Sequence, residues 1–170
     1  MDIKRILFNV RYLNNTKIEV DLSKKHTVSN PQDLIDDSIA IGCASNVLFT
    51  RFDEFLETQN LELFKSSFLG AVILNSFAIE LSIKAIHAQG DSCEFPSGHK
   101  LQDLFDQLPI ETKKDISDKF STSTNGHCLN EFLKMHNTSF QDWRYIAESK
   151  NNDFEYNFSD SRKLLAILQS

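Results

Sequence analysis

Glycine and proline are scarce in this chain, at 5 and 3 among 170 residues. With so few breakers, a loop-rich scaffold or a disordered tail is excluded and long regular elements are expected. Cysteine is no better supplied: Cys43, Cys93 and Cys128 are odd in number and widely spaced, with no C-x-x-C or Cys/His ligand spacing among them. A disulfide framework and a spaced zinc site are therefore not expected, and His127–Cys128 stands as an isolated dipeptide beside free thiols in a reducing compartment. Basic charge is short as well. The 18 Lys and Arg face 24 Asp and Glu, for a formal charge of −6. Non-specific grip on nucleic acid needs a basic surface that displaces counterions, and this balance does not supply one. The start, Met1-Asp2-Ile3-Lys4-Arg5, lacks the apolar run and cleavage site of a signal peptide. No apolar stretch reaches the ~18 residues of a membrane span. A soluble, cytoplasmic protein that does not engage membrane is the expectation.

What the chain does have is apolar bulk. It is 41% hydrophobic and carries 14 Phe, enough for a core in a single domain without metals or disulfides. Residues 1–25 differ from the rest. Phe8, Val10 and Tyr12 alternate with Asn9 and Arg11, and beyond Asn14-Asn15 the residues Ile18, Val20 and Leu22 alternate with charged ones. Period-two alternation on both sides of a polar turn predicts a β-hairpin extension. A hairpin alone is marginal in water, so it must lean on the remainder, 26–170, or on another chain.

That remainder reads as an antiparallel helical bundle. Asn30-Pro31 is a cap followed by a first-turn proline, and it opens a helix expected over 31–58. Ile35, Ile39, Cys43, Val47, Phe52, Phe55 and Leu56 are its expected apolar face, and Gly42 weakens it by up to ~1 kcal/mol. A second helix, about 61–88, has apolar residues round most of its circumference, which predicts a central position, and Gly90 is its stop. Further helices are expected over 99–108, 111–120, 129–135, 140–148 and 159–169, with a flexible loop at 121–126 and an irregular stretch at 151–158.

Three places carry candidate chemistry. Glu80 and Lys84 stand at i,i+4 within the apolar band of the second helix. They are either an exposed ion pair or a buried pair held in a network, since lone buried charges are costly. His99 follows Gly98 and either caps the third helix, braces the turn or exchanges a proton. Arg144 and Tyr145 follow Trp143, and Arg144 is four residues before Glu148; a structural Arg–Glu pair with stacked aromatics is the bland alternative to a site. No phosphate-binding glycine loop, nucleophile elbow or zinc-helix motif is present.

Taken in order, Phe77-Ala-Ile-Glu80-Leu-Ser-Ile-Lys84-Ala-Ile, then Gly98-His99-Lys-Leu101-Gln-Asp-Leu104-Phe105, then Trp143-Arg144-Tyr145 resemble the HEPN superfamily over about residues 31–168. The resemblance implies a four- or five-helix bundle that pairs as a homodimer. It also implies a prokaryotic setting in phage defence, toxin–antitoxin systems or CRISPR, or beside nucleotidyltransferases. Active members are metal-independent ribonucleases that use an Arg and, after four to six intervening residues, a His. None of Arg5, Arg11, Arg51, Arg144 and Arg162 has such a histidine. The implied function is thus an interaction domain without the usual ribonuclease motif and without a cofactor, engaging a cognate protein partner. In it Glu80, Lys84, His99, Arg144 and Tyr145 form a polar network. The alternatives are a metal-independent RNA endonuclease using Arg144 and His99, with Glu80 as a third catalytic candidate, or a nucleotide-binding partner of a nucleotidyltransferase with Lys84, Arg144 and Tyr145 as ligand contacts.

Overall fold

The computed structural model describes residues 30–50, 60–89, 95–139 and 156–170, and ahead of them the backbone of four short strands. These strands are β1 (Lys4–Ile6), β2 (Asn9–Leu13), β3 (Lys17–Asp21) and β4 (Lys25–Thr27). β1 runs antiparallel to β4, and β2 antiparallel to β3 with Val10 opposite Val20. The side chains of this segment, and with them the packing of the expected β-hairpin, lie outside the described residues.

The remainder is mainly helical. Among the described residues the helices are α1 (Pro31–Thr50), α2 (Leu61–Ala88), α3 (Leu101–Asp106), α4 (Ile110–Ser123), α5 (Leu129–Met135) and α6 (Phe158–Leu168). At the head of α1, Asn30 Oδ1 accepts a hydrogen bond from Gln32 N at 3.0 Å, so the side chain caps the helix just ahead of its first-turn proline. Residues 51–58, the expected continuation of α1, and the expected helix over 140–148 lie outside the described residues. So does Gly90, the expected stop of α2.

α2 is the axis of the bundle. Ala71, Val72, Ala78, Ile79, Ile83, Ala85 and Ala88 are all at most 1% exposed. Ile79 and Ile83 enter the main core with Leu104, Phe105, Phe120, Leu133, Leu164 and Leu165, which come from α3 to α6. The stretch Lys65–Ala88 is long and apolar enough, at mean hydropathy 1.6, to cross a membrane, which corrects the expectation that no segment qualifies. Some 67% of its most apolar window is buried inside the chain, as a central bundle helix requires.

α1 departs most from its expected packing. The residues it buries are Leu34, Ser38, Gly42 and Ser45. Of the expected apolar face, Ile39 is 42% exposed, Val47 is 60% exposed and Cys43 is exposed, while Ile35 is half-buried. The helix is turned because its small side chains allow a close approach to α2, and hydrogen bonds hold it there. Ser38 Oγ donates to the carbonyl of Ala78 at 2.9 Å and accepts from Gln169 Nε2 at 2.8 Å. Its single proton being spent, the 2.6 Å contact with Ser82 Oγ has Ser82 as donor. Seven residues on, Ser45 Oγ donates to the carbonyl of Ala71 at 2.8 Å.

Gly42 sits where the helices are tightest. A Cβ there would stand 2.9 Å from Leu165 Cδ2 and 3.9 Å from Ala78 Cβ. Gly42→Val is expected to lower stability by about 1–3 kcal/mol through overpacking, despite the gain in helix propensity over glycine. Urea denaturation checks this, and an unchanged midpoint would mean that α1 does not lie against Leu165 of α6 in this way.

Elsewhere the boundaries shift by a few residues. α3 begins at Leu101, so His99 precedes the helix, and Lys100 occupies the cap position without a side-chain cap bond. α4 runs to Ser123, three residues into the expected loop, and the turn after it uses positive φ at Asn125 (59°) and Gly126 (98°). α6 begins at Phe158, one residue before its expected start, and its cap is Asn157, whose Oδ1 accepts from Asp160 N at 3.1 Å.

Candidate functional site

Glu80 lies in the middle of α2, with Ile79 and Leu81 beside it and only 1% of its own surface exposed. Lys84, one turn later, is 4% exposed and donates from Nζ to Glu80 Oε1 at 2.7 Å. The pair is therefore the buried, networked one of the two arrangements its spacing allowed. Charges this deep persist only when paired and hydrogen-bonded, because desolvation of each costs several kcal/mol.

His99 completes the group. It arrives on the segment between Gly98, whose φ is +101°, and α3, and its Nδ1 lies 2.9 Å from the same Glu80 Oε1. A carboxylate only accepts, so the imidazole donates from Nδ1–H, which fixes the neutral ring as the tautomer with its lone pair on Nε2. Half of the His99 side chain is exposed, against 1% of Glu80 and 5% of Lys84. The helix-capping role anticipated for His99 is thus replaced by a tie to α2. Glu80 Oε2 is buried and has no hydrogen-bond partner among the described residues. Arg144 and Tyr145, the other two candidates, lie outside the described residues.

Chemically, a buried carboxylate holding an imidazole that reaches solvent is the arrangement of an oriented general acid or base. It is equally a latch that pins the approach to α3 onto the bundle's axis. Two clefts among the described residues open elsewhere. One, of about 400 Å³, lies between α1 and α6 and is lined by Asn46, Arg162, Lys163 and Gln169 among others. The second, of about 300 Å³, is lined by His127, Cys128, Phe132, Met135 and Asp160 among others.

Around that second cleft is a polar cluster the sequence did not announce. Asp160, on α6 and 4% exposed, takes His127 Nδ1 at 2.6 Å and Asn157 Nδ2 at 2.8 Å. His136, 1% exposed, accepts from the backbone N–H of Asn157 on Nε2 at 3.4 Å and donates from Nδ1 toward Ser139 Oγ at 3.2 Å. Burial holds its pKa down from 6.5 to about 4, against the opposing pull of Asp160. Burial also raises the pKa of the Tyr156 phenol, whose oxygen accepts from Asn75 Nδ2 and Ser76 Oγ at 3.1 Å each. These partners are 33, 81 and 80 residues apart in the chain, and no spacing rule joins them.

Fold and site together define a mainly α-helical bundle with a buried Glu80–Lys84 pair at its axis and the half-exposed His99 tied to it. No family model, curated protein or solved structure matches this chain.

Proposed function

We propose that this is a HEPN-like helical interaction domain, cytoplasmic and self-associating. It would work through a cognate protein partner in a prokaryotic defence or toxin–antitoxin setting, without ribonuclease chemistry. One observation carries the reading: Glu80 Oε1 is shared by Lys84 Nζ at 2.7 Å and His99 Nδ1 at 2.9 Å, with the acid and the ammonium both buried. The ammonium is spent on Glu80 instead of facing a ligand, so the group acts as a packing device. Arg144 and Tyr145 belong to the same network in this reading. The expected β-hairpin extension over 1–25 would pair edge to edge across the dimer. Incubated with structured and single-stranded RNA in excess chelator, the protein is expected to leave both intact. His99→Ala is expected to lower stability by about 1 kcal/mol through loss of a hydrogen bond to a charged acceptor at a half-exposed site.

A second reading is favoured by the exposure of His99. With Nδ1–H held by Glu80, its Nε2 would exchange the proton of an attacking RNA 2′-hydroxyl, and Arg144 would steady the charge that develops on the phosphate. Chelator-resistant cleavage that disappears in His99→Ala would install this reading and remove the first.

A further inference from the structure

Ser159, Arg162, Lys163 and Ala166 of α6, and Gln169 at its C-cap, share one face of the helix. Their spacing of three and four residues sets them in a row along it. With Asn46 of α1 they line the larger cleft, of about 400 Å³. Among the described residues lining it there is no carboxylate, in a chain whose formal charge is −6. Every polar side chain there carries an N–H or O–H donor. The volume falls in the range of small-molecule sites, ~300–1,000 Å³.

These donors are held in place but little used. The Arg162 guanidinium stands over the Phe49 ring, 5.4 Å from its centroid, and Phe49 is itself stacked on Phe158 at 4.0 Å. Stacking occupies the face of the guanidinium and leaves its N–H edge, which makes no hydrogen bond or ion pair among the described residues. Lys163 Nζ is 3.8 Å from Asp160 Oδ1, beyond hydrogen-bond reach. Gln169 Nε2 gives one N–H to Ser38 and keeps a second. Asn46 Oδ1 is buried without a hydrogen-bond partner, and its amide nitrogen makes no bond among the described residues either. An amide spent at neither end is not explained by the packing of the chain itself.

We infer that the cleft between α1 and α6 binds a small phosphate monoester, its phosphoryl group between Arg162 and Lys163 and a hydroxylated remainder against Asn46 and Gln169. Two cations match the nearly two negative charges of a monoester, and the guanidinium fork fits two of its oxygens. The neutral amides suit hydroxyl groups, which both donate and accept. Free orthophosphate would leave that part of the cleft empty. A phosphodiester carries a single charge and would leave one cation unmatched. The inference is independent of the Glu80 group, which shares no residue with this cleft.

The test titrates glycerol 3-phosphate, inorganic phosphate and dimethyl phosphate into the full chain by calorimetry, at one low ionic strength. Glycerol 3-phosphate should saturate a single site with a dissociation constant of about 1 mM or below, several-fold tighter than the other two. Arg162→Gln and Ala166→Glu should each weaken it about tenfold or more, the first by removing the fork, the second by setting a carboxylate among the donors. Both residues are exposed, so melting should stay close to the wild-type value. Lys119→Gln, on α4, should bind as wild type does. No saturation by glycerol 3-phosphate overturns the site, and so does binding indifferent to both cleft substitutions. An equal loss in Lys119→Gln overturns it too, by reducing it to diffuse charge. Inorganic phosphate binding as tightly overturns the ester, and dimethyl phosphate binding as tightly overturns the need for a dianion. Should Arg162→Gln fail to fold, Ala166→Glu decides by itself.

Discussion

Glu80→Ala is expected to remove about 3–5 kcal/mol of folding stability, a large part of the 5–15 kcal/mol typical of a domain. Alanine suits the middle of a helix, so backbone propensity is not the cause. The loss comes from the Lys84 ammonium, 4% exposed, which would be left in the interior without the carboxylate 2.7 Å away. His99 would lose its acceptor too, freeing the segment that leads into α3. The double variant Glu80→Met/Lys84→Met separates this from a simple packing defect. With both charges removed and the volume roughly kept, stability should return to near the wild-type value or above it, because a buried pair gains little net energy over apolar replacements. Urea unfolding of the three proteins at one pH measures both effects. A loss below about 1 kcal/mol in the single variant would mean that the pair reaches water.

Acidification gives the second large effect. The His136 pKa is about 4 in the folded chain, against 6.5 for an imidazole in water, so folding favours the neutral ring. A depressed pKa contributes stability that is fully present above about pH 6.5 and is lost as pH falls towards 4. Unfolding then takes up close to one proton across that window, and the stability lost reaches about 3 kcal/mol. The geometry gives the same sign, for the Asn157 N–H donates to Nε2 at 3.4 Å and a protonated ring could not accept it. Stability measured at half-unit steps from pH 7.5 to 4.5, in wild type and in His136→Gln, isolates this group from the carboxylates that also titrate. The wild-type curve should fall more steeply below pH 6.5, and parallel curves would show that His136 is not held neutral.

Much of the helical frame was written in local chemistry. Asn30-Pro31 marks the start of α1, and Leu129–Met135 is a helix with the expected bounds. The all-round apolarity of α2 announced its central position, and Glu80 and Lys84 were visible as charges in an apolar band. The face of α1 was not legible. Hydrophobic periodicity picks the most apolar stripe, Ile39–Cys43–Val47, whereas close helix packing selected the smallest one, Ser38–Gly42–Ser45, since short side chains and serine hydroxyls let two backbones approach. Nor did the sequence show that His99, just ahead of α3, would reach the carboxylate of another helix, 19 residues away. The Asp160–His127 and Tyr156–Asn75 contacts were equally hidden.

Taken alone, then, the sequence determined the class of the molecule and most of its helices, because caps, breakers and apolar content act within a turn or two of chain. The tertiary structure alone decided which face of α1 is covered and which acceptor His99 finds. Those outcomes depend on how closely two helices can approach and on burial shared between residues far apart in the chain, and neither is a property of any single segment.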